Sequence, residues 1–504
     1  MRPESSGSDA AFHAQVAAAA VAADGRARGS SPRDAMVTLA LGALFAAVLA
    51  QVNRLAPEPY MDEVFHVPQT QKYCDGDFGA WDPKITTFPG LYLIATLYAH
   101  LTALLSAAFC STAVLRSVNV LFAMASAFLL IKLRALIMPR DPNSTAHALM
   151  IVAFPVHFFF AFLFYTDSGA TFFVLLMYYF AEQVDLLQYP SARGSYVLSA
   201  LSGAAAVLFR QTNIIWVAFV TGAVIVKCVE LSHGNYIYGT TKQDARLGNA
   251  IVVRNSARRV LINFVVVVLT NLVSLVQLVW PFVVIALGFV GFLFVNGGIV
   301  VGDKSNHEAG VHGAQLLYFT VVAASGFGVS LFTPATLKRF ADAVRRNAKE
   351  PKSLLFMAST VALVLLTVAF LSPVHKFMRA DNRHYTFYVW RKFFLKHALA
   401  RFLPVSLYLF FGWRCGTELR RNRSPLWMFV YAIAVSLVLV PSPLVEPRYF
   451  LVPFILFHLN TGQQPPLQLW TTTLAYALVN AITIYIFLAK PYQWVDGTTA
   501  RFMW

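Results

Sequence analysis

Apolar residues along this chain gather into runs of roughly 20, the length a helix needs to cross ~30 Å of hydrocarbon. The runs recur almost from one end to the other. The first is 36–52; later ones occupy 90–109, 113–136, 146–164, 169–185, 195–209, 212–230, 260–300, 313–334, 354–372, 400–413, 426–441, 449–461 and 468–488. Trp280 and Pro281 interrupt the run 260–300, so 281–300 is expected to cross while 260–279 lies interfacial or re-entrant. The pattern predicts an all-α polytopic membrane protein with about 13 transmembrane helices, range 12–14. No tandem repeat is visible, which weakens a transporter built from inverted halves.

Composition agrees. Of 504 residues 58% are hydrophobic and 13% charged, where a soluble domain carries about a quarter charged. The net charge of +16 would suit a nucleic-acid binder, but the basic residues sit in clusters between apolar runs, as in cytoplasmic loops facing anionic lipid. Nucleic acid is excluded as a partner; membrane lipids are expected.

Charge also sets sidedness. Arg26, Arg28 and Arg33 precede the first run, and an acidic segment with Glu58, Asp62, Glu63, Asp75, Asp77 and Asp82 follows it. The N-terminus is therefore expected in the cytosol and the loop 53–112 on the lumenal side. Further cytosolic clusters are Lys132 with Arg134 and Arg140, 227–259, Lys338 to Lys352, and Arg414 to Arg423. Two crossings between the acidic loop and Lys132 would misplace that lysine. The conflict disappears if 90–109 is an interfacial helix on the lumenal side. The expected organisation is a disordered cytosolic tail over 1–33 and an N-terminal membrane module over 34–231. A basic cytosolic loop over 232–259 and a C-terminal membrane module over 260–504 complete it. The sequons at Asn143 and Asn422 fall in loops expected to be cytosolic and unmodified. Cys74 and Cys110 both fall on the lumenal side and are able to pair, but four free or buried thiols, with Cys228 and Cys415, is the favoured reading.

With this threading, polar residues collect at the lumenal ends of the runs, where ionisable groups are costly and usually functional. Asp62 and Glu63 are adjacent; on a helix their side chains diverge by about 100°, so one can face a site while the other is braced. A carboxylate against a sugar hydroxyl is a natural general base. A plain acidic helix cap is the competing reading. His66, one turn on, adds too few ligands for a metal. Lys304, Arg383, His384, Arg391, Lys392 and Arg448 are cations suited to a phosphate. The segment 375–397 is basic yet lumenal, which a bound lipid phosphate would explain. Trp81, Tyr165, Tyr385, Tyr388 and Trp390 are able to stack on sugars or form the interfacial aromatic belt.

The blocks Pro59-Tyr-Met-Asp-Glu-Val-Phe-His66 and Trp81-Asp-Pro-Lys-Ile-Thr-Thr-Phe-Pro-Gly-Leu-Tyr92 are carried on that first loop. Together with Arg210-Gln-Thr-Asn213, the 296–308 segment, Ala380 to Trp390, Glu446-Pro-Arg-Tyr-Phe450 and Arg501-Phe-Met-Trp504, they resemble the dolichyl-phosphate-glucose α-1,2-glucosyltransferases of the endoplasmic reticulum. Pro447 departs from that family's pattern. The tail and 232–258 show no resemblance.

The resemblance implies a GT-C type glycosyltransferase whose lumenal first loop contains an interfacial helix. It implies an inverting single displacement that adds the third glucose to the diglucosylated dolichyl-pyrophosphate-linked oligosaccharide used in N-glycosylation. The donor is dolichyl-phosphate glucose, and neither cofactor nor metal is expected. In that scheme Asp62 is the first choice for base, then Glu63, with Asp167 third. Arg383, His384 and Arg448 take the donor phosphate. Trp81, Asp167, Lys304, His307 and Glu308 contact sugar or acceptor. The chain is expected to be a monomer in the endoplasmic-reticulum membrane with its active site lumenal. The alternatives are another dolichyl-phosphate-sugar transferase, using mannose, or a transporter or channel-associated protein.

Overall fold

The structure, a computed structural model, describes residues 32–103, 108–184, 192–240, 253–303, 310–494 and 496–504. The tail 1–31, residues 241–252 of the basic loop, and the site candidates Lys304, His307 and Glu308 lie outside the described residues. The fold is helical. Among the described residues the only strands are β1 (Tyr492–Gln493) and β2 (Thr499–Ala500), an antiparallel ribbon pairing Tyr492 with Ala500.

Six helices are long and apolar enough to cross a membrane: Asp34–Leu55, Thr112–Ile137, Gln211–Tyr238, Leu272–Asn296, Pro351–Phe370 and Pro466–Ala489. Between them lie shorter apolar helices, among them Gly90–Ala103, Ala314–Ser325 and Pro425–Leu439. Gly90–Ala103 has 14 described residues, a length of about 21 Å. It packs on the 12-residue helix Glu63–Cys74, burying Leu91, Tyr92, Ala95 and Ala99 while Leu93, Leu97 and Leu101 stay exposed.

Helix breaks differ from the sequence reading in the runs 260–300 and 146–164, among others. The run 260–300 breaks at Asn271, not at Trp280-Pro281: Ala257–Thr270 ends there and Leu272–Asn296 continues straight through Pro281. At the break the Val267 carbonyl accepts both the Asn271 side-chain amide at 2.8 Å and the Asn271 backbone amide at 3.1 Å. Pro281 removes one backbone donor, which a long apolar helix with packed neighbours tolerates. The run 146–164 is two helices, Ser144–Val152 and Pro155–Phe160. Pro155 starts the second, and Asn480 Nδ2 donates to the Ala153 carbonyl left free at the joint, at 2.8 Å.

Cys74 and Cys110 form a disulfide, with Cα atoms 6.5 Å apart, against the reading of four separate thiols. Both lie in the small core of Val67, Tyr73, Leu91, Tyr92 and Leu115 that seats the Glu63–Cys74 helix, a proximity that a separation of 36 residues does not reveal. Cys228 and Cys415 are buried thiols.

Arg134 and Arg423, counted above as loop charges, are structural. Arg134 is fully buried and donates to the carbonyls of Leu459, Thr461 and Gly462 and to Asp141. It thereby caps the C-terminus of helix Leu451–Asn460. Arg423 bonds Asn460, Tyr178 and Glu182. The two sequon amides are engaged too: Asn143 Nδ2 donates to the Gln464 carbonyl and Asn422 Nδ2 to that of Asn460.

Candidate active site

The segment 56–62 leaves the first long helix and turns sharply into the helix Glu63–Cys74. Met61 adopts φ +56°, a left-handed conformation that costs a non-glycine residue about 1–3 kcal/mol and persists where the surroundings impose it. Asp62 follows at the N-cap. An aspartate there ordinarily accepts a hydrogen bond from the first turn of its helix; Asp62 makes none. Its carboxylate points instead to Arg448, whose Nη1 donates to Oδ2 at 3.0 Å, and its side chain stays 39% exposed.

Glu63 is the braced partner. Oε1 accepts from Arg116 Nε at 2.8 Å and from the Phe164 amide at 2.6 Å. Oε2 accepts from Arg116 Nη2 at 2.6 Å and from the Tyr60 amide at 3.0 Å. Arg116 spends its other donors on Asn53, Ala56 and Glu58, so all five are used. Both side chains are fully buried. With each oxygen holding two donors, Glu63 has no free lone pair directed at a substrate.

Around Asp62 the charges do not balance. Asp167, on the first turn of helix Thr166–Gln183, accepts from Arg210 through Oδ1 and from Arg448 Nη1 at 3.3 Å through Oδ2. Glu446 takes Nε and Nη2 of Arg448. Three carboxylates thus share two guanidinium groups, and one nitrogen of Arg448 serves two of them. The Arg448 guanidinium lies over the neighbouring rings of Tyr165 and Phe160, 5.0 and 5.2 Å from their centroids. Burial alone would raise the Asp62 carboxyl, but Arg448, then His66 and Arg210, hold it below the ordinary aspartate value. Burial pulls His66 below its ordinary value, Asp62 opposing. Burial would also lower Arg448, but Glu446, Asp62 and Asp167 keep it firmly charged.

A file of rings leads away from Asp62. The Asp62 amide donates to Tyr165 Oη at 3.1 Å, and Tyr165 meets His66 edge-on at 6.2 Å. His66 Nδ1 pairs with Tyr92 Oη at 2.7 Å, and Tyr92 meets Trp81 at 5.9 Å. The Trp81 indole N–H is buried without a partner among the described residues. Residues 301–303 close on the same loop: the Asp303 amide donates to the Pro83 carbonyl at 2.8 Å. Gly302, at φ +75°, lies where any Cβ would strike that carbonyl.

Arg383 and His384 form a second cluster. Arg383 grips Asp381 with two bonds of 2.8 and 2.7 Å and stacks over Trp494 at 4.2 Å. His384 Nε2 is 3.6 Å from Asp381 and Nδ1 pairs with the Trp504 carbonyl. Of the residues singled out from the sequence, Asp62, Asp167 and Arg448 are in direct contact and Trp81 joins them through rings. Glu63 is turned away into its clamp. Arg210 and Glu446 were quoted above only within motifs, and Arg116 was overlooked. An arginine near the start of the apolar run 113–136, far from the basic residues at its other end, was a readable signal for a buried partner. Among the described residues no group of three or more His, Cys, Asp or Glu side chains is placed to hold a metal ion.

Comparison with known proteins follows the same loop. The DIE2/ALG10 family model matches residues 56–459, from the start of the Asp62 turn to beyond Arg448. The chain belongs to the DIE2/ALG10 family. Among curated relatives, a rat protein is 38% identical over 468 residues, covering 90% of this chain and 94% of its own. A human relative is 36% identical with the same coverage, and one from Arabidopsis thaliana is 34% identical over 90% of this chain and 96% of its own. All three are named Dol-P-Glc:Glc(2)Man(9)GlcNAc(2)-PP-Dol alpha-1,2-glucosyltransferase. No solved structure matches the chain. The family membership accounts for the helical membrane architecture of a glycosyltransferase.

Proposed function

We propose that this chain transfers glucose from dolichyl-phosphate glucose to the terminal glucose of the diglucosylated, dolichyl-pyrophosphate-linked oligosaccharide. The link formed is α-1,2, and the step is the last in assembling the precursor for protein N-glycosylation. The observation that carries the reading is Asp62: a carboxylate freed from helix capping, part-exposed, and oriented by Arg448 in a loop matched by a glucosyltransferase family.

The acceptor 2-hydroxyl oxygen attacks C1 of the donor glucose while Asp62 takes its proton. The C1–O bond to phosphate breaks, its electron pair leaves with dolichyl phosphate, and the β-linked donor becomes an α-linked product. In such an in-line displacement the base and the leaving phosphate stand on opposite faces of the sugar. Arg448 touches the base itself and already faces three carboxylates, so its part is to orient Asp62 and Asp167. The phosphate falls to Arg383 and His384, in a segment where Lys376, Arg379, Arg383, Arg391, Lys392 and Lys396 outnumber Asp381. Such preorganised cations stabilise the developing charge without a metal. Trp81 offers its free N–H to a sugar hydroxyl, and acceptor recognition is assigned also to Lys304, His307 and Glu308. The Cys74–Cys110 bridge, which persists in oxidising compartments, supports placing this loop in the lumen of the endoplasmic reticulum.

Purified protein given synthetic dolichyl-phosphate glucose and the diglucosylated lipid-linked acceptor is expected to add one hexose in α-1,2 linkage, in chelator as well as without it. Transfer from the mannose donor alone would move the chain to a different step. No transfer from either donor by folded protein would overturn the reading.

A further inference from the structure

The two clusters described above are joined by residues 492–504, outside the span matched by the family model. The joint is Tyr60, two residues before Asp62. Its hydroxyl donates to the Arg501 carbonyl and accepts from the Arg501 amide, both at 2.7 Å. Arg501 is itself anchored at two helix ends. Nη1 donates to the carbonyls of Phe487 and Leu488 at 2.8 and 3.2 Å, and Nη2 to that of Leu55 at 2.8 Å. These carbonyls close the helices Pro466–Ala489 and Pro32–Leu55, where a cation is favoured.

Beyond Arg501 the chain runs onto the other cluster. The Met503 amide donates to the Arg383 carbonyl at 2.8 Å, and His384 Nδ1 donates to the Trp504 carbonyl at 2.8 Å. Phe502 and Trp504 hold the Tyr385 ring from 4.5 and 4.4 Å. Before Arg501 the ribbon supplies Tyr492 and Trp494, both donating to Asn382 Oδ1. One stretch of chain therefore bonds the turn that carries Asp62 and the segment that carries Arg383 and His384.

We infer that Tyr60 and the strap Arg501–Trp504 are positioning residues that fix the distance between the base and the donor-phosphate cations. The inference rests on the functional reading above. A base and a phosphate site carried by different segments need a rigid link, because displacement by about 1 Å can cost 10²-fold in rate. Tyr60 is suited to that link because its hydroxyl meets strap backbone, so the contact is independent of the Arg501 side chain.

The test compares the full chain with Tyr60→Phe, which keeps the ring against Phe487, and with deletion of Arg501–Trp504. Glucose transfer is read as kcat and as KM for donor and acceptor. Tyr60→Phe is expected to lower kcat about tenfold or more with both KM values within about threefold. The deletion is expected to lower kcat further and to raise the donor KM, because Arg383 and His384 lose their backbone partners. Variants that lose thermal stability but keep the kcat of the full chain would overturn the strap. A full chain that transfers no sugar would overturn the functional reading and the strap with it.

Discussion

Asp62 and Glu63 are neighbours in sequence but stand in two different polar regions. Around Glu63 the accounts close: two oxygens meet four donors, Arg116 uses all five of its own, and both groups are fully buried. Around Asp62 they do not, since three carboxylates compete for two guanidinium groups and one Arg448 nitrogen is shared at 3.0 and 3.3 Å. Ion pairs at the far end of the molecule resemble the first kind. Arg134 lies eighteen residues, or about 27 Å along one helix, from Arg116 and is likewise buried, with both of its terminal nitrogens directed at carbonyls and Asp141. A closed cluster holds a fold. An open and unbalanced one leaves a lone pair for a substrate, and the contrast between them identifies the site better than charge alone.

The contrast breaks most visibly at the closed cluster. Glu63→Ala leaves Arg116 buried and unpaired, so the protein should lose on the order of 3–5 kcal/mol of stability, read as thermal unfolding in detergent. Arg448→Gln, in the open cluster, should unfold within a few degrees of the parent. A Glu63→Ala protein as stable as the parent would remove the distinction between the two regions. Next in size is the disulfide under the same turn. Replacing Cys74 and Cys110 by serine should cost on the order of 2–4 kcal/mol, or its reduction should lower the unfolding temperature of the parent alone.

Much of this organisation was legible in the sequence. Apolar periodicity located the helices because a membrane-crossing helix is specified by length and composition, which need no tertiary partner. Asp62, Asp167 and Arg448 were legible because ionisable side chains beside apolar runs are few. The breaks at Asn271 and Ala153 were not, since at each a side chain bonds a helix carbonyl, one of them from another helix. The disulfide was hidden by 36 residues of intervening chain. The separate fates of Asp62 and Glu63 were not decidable either, because Arg116 and Arg448 come from far along the sequence.

The smallest effect concerns pH. A base works when deprotonated, and Asp62 is held below the ordinary aspartate value, with Arg448 as the cause that outweighs burial together with His66 and Arg210. Activity should therefore not change through Asp62 near neutral pH, and should fall only as pH drops through its lowered value. Removing the Arg448 charge, as in Arg448→Gln, should move that acid limb upward. An acid limb that stays put in this variant would separate Asp62 from the pH profile.

The most direct test of the account is the kcat of Asp62→Asn set beside that of Glu63→Gln, both in folded protein and with saturating donor and acceptor. Asp62→Asn is expected to lose about 10²- to 10⁴-fold in kcat with unfolding temperature near the parent's, and Glu63→Gln to lose mainly stability. Full turnover by Asp62→Asn, or the large catalytic loss falling on Glu63→Gln alone in stable protein, would contradict Asp62 as the base.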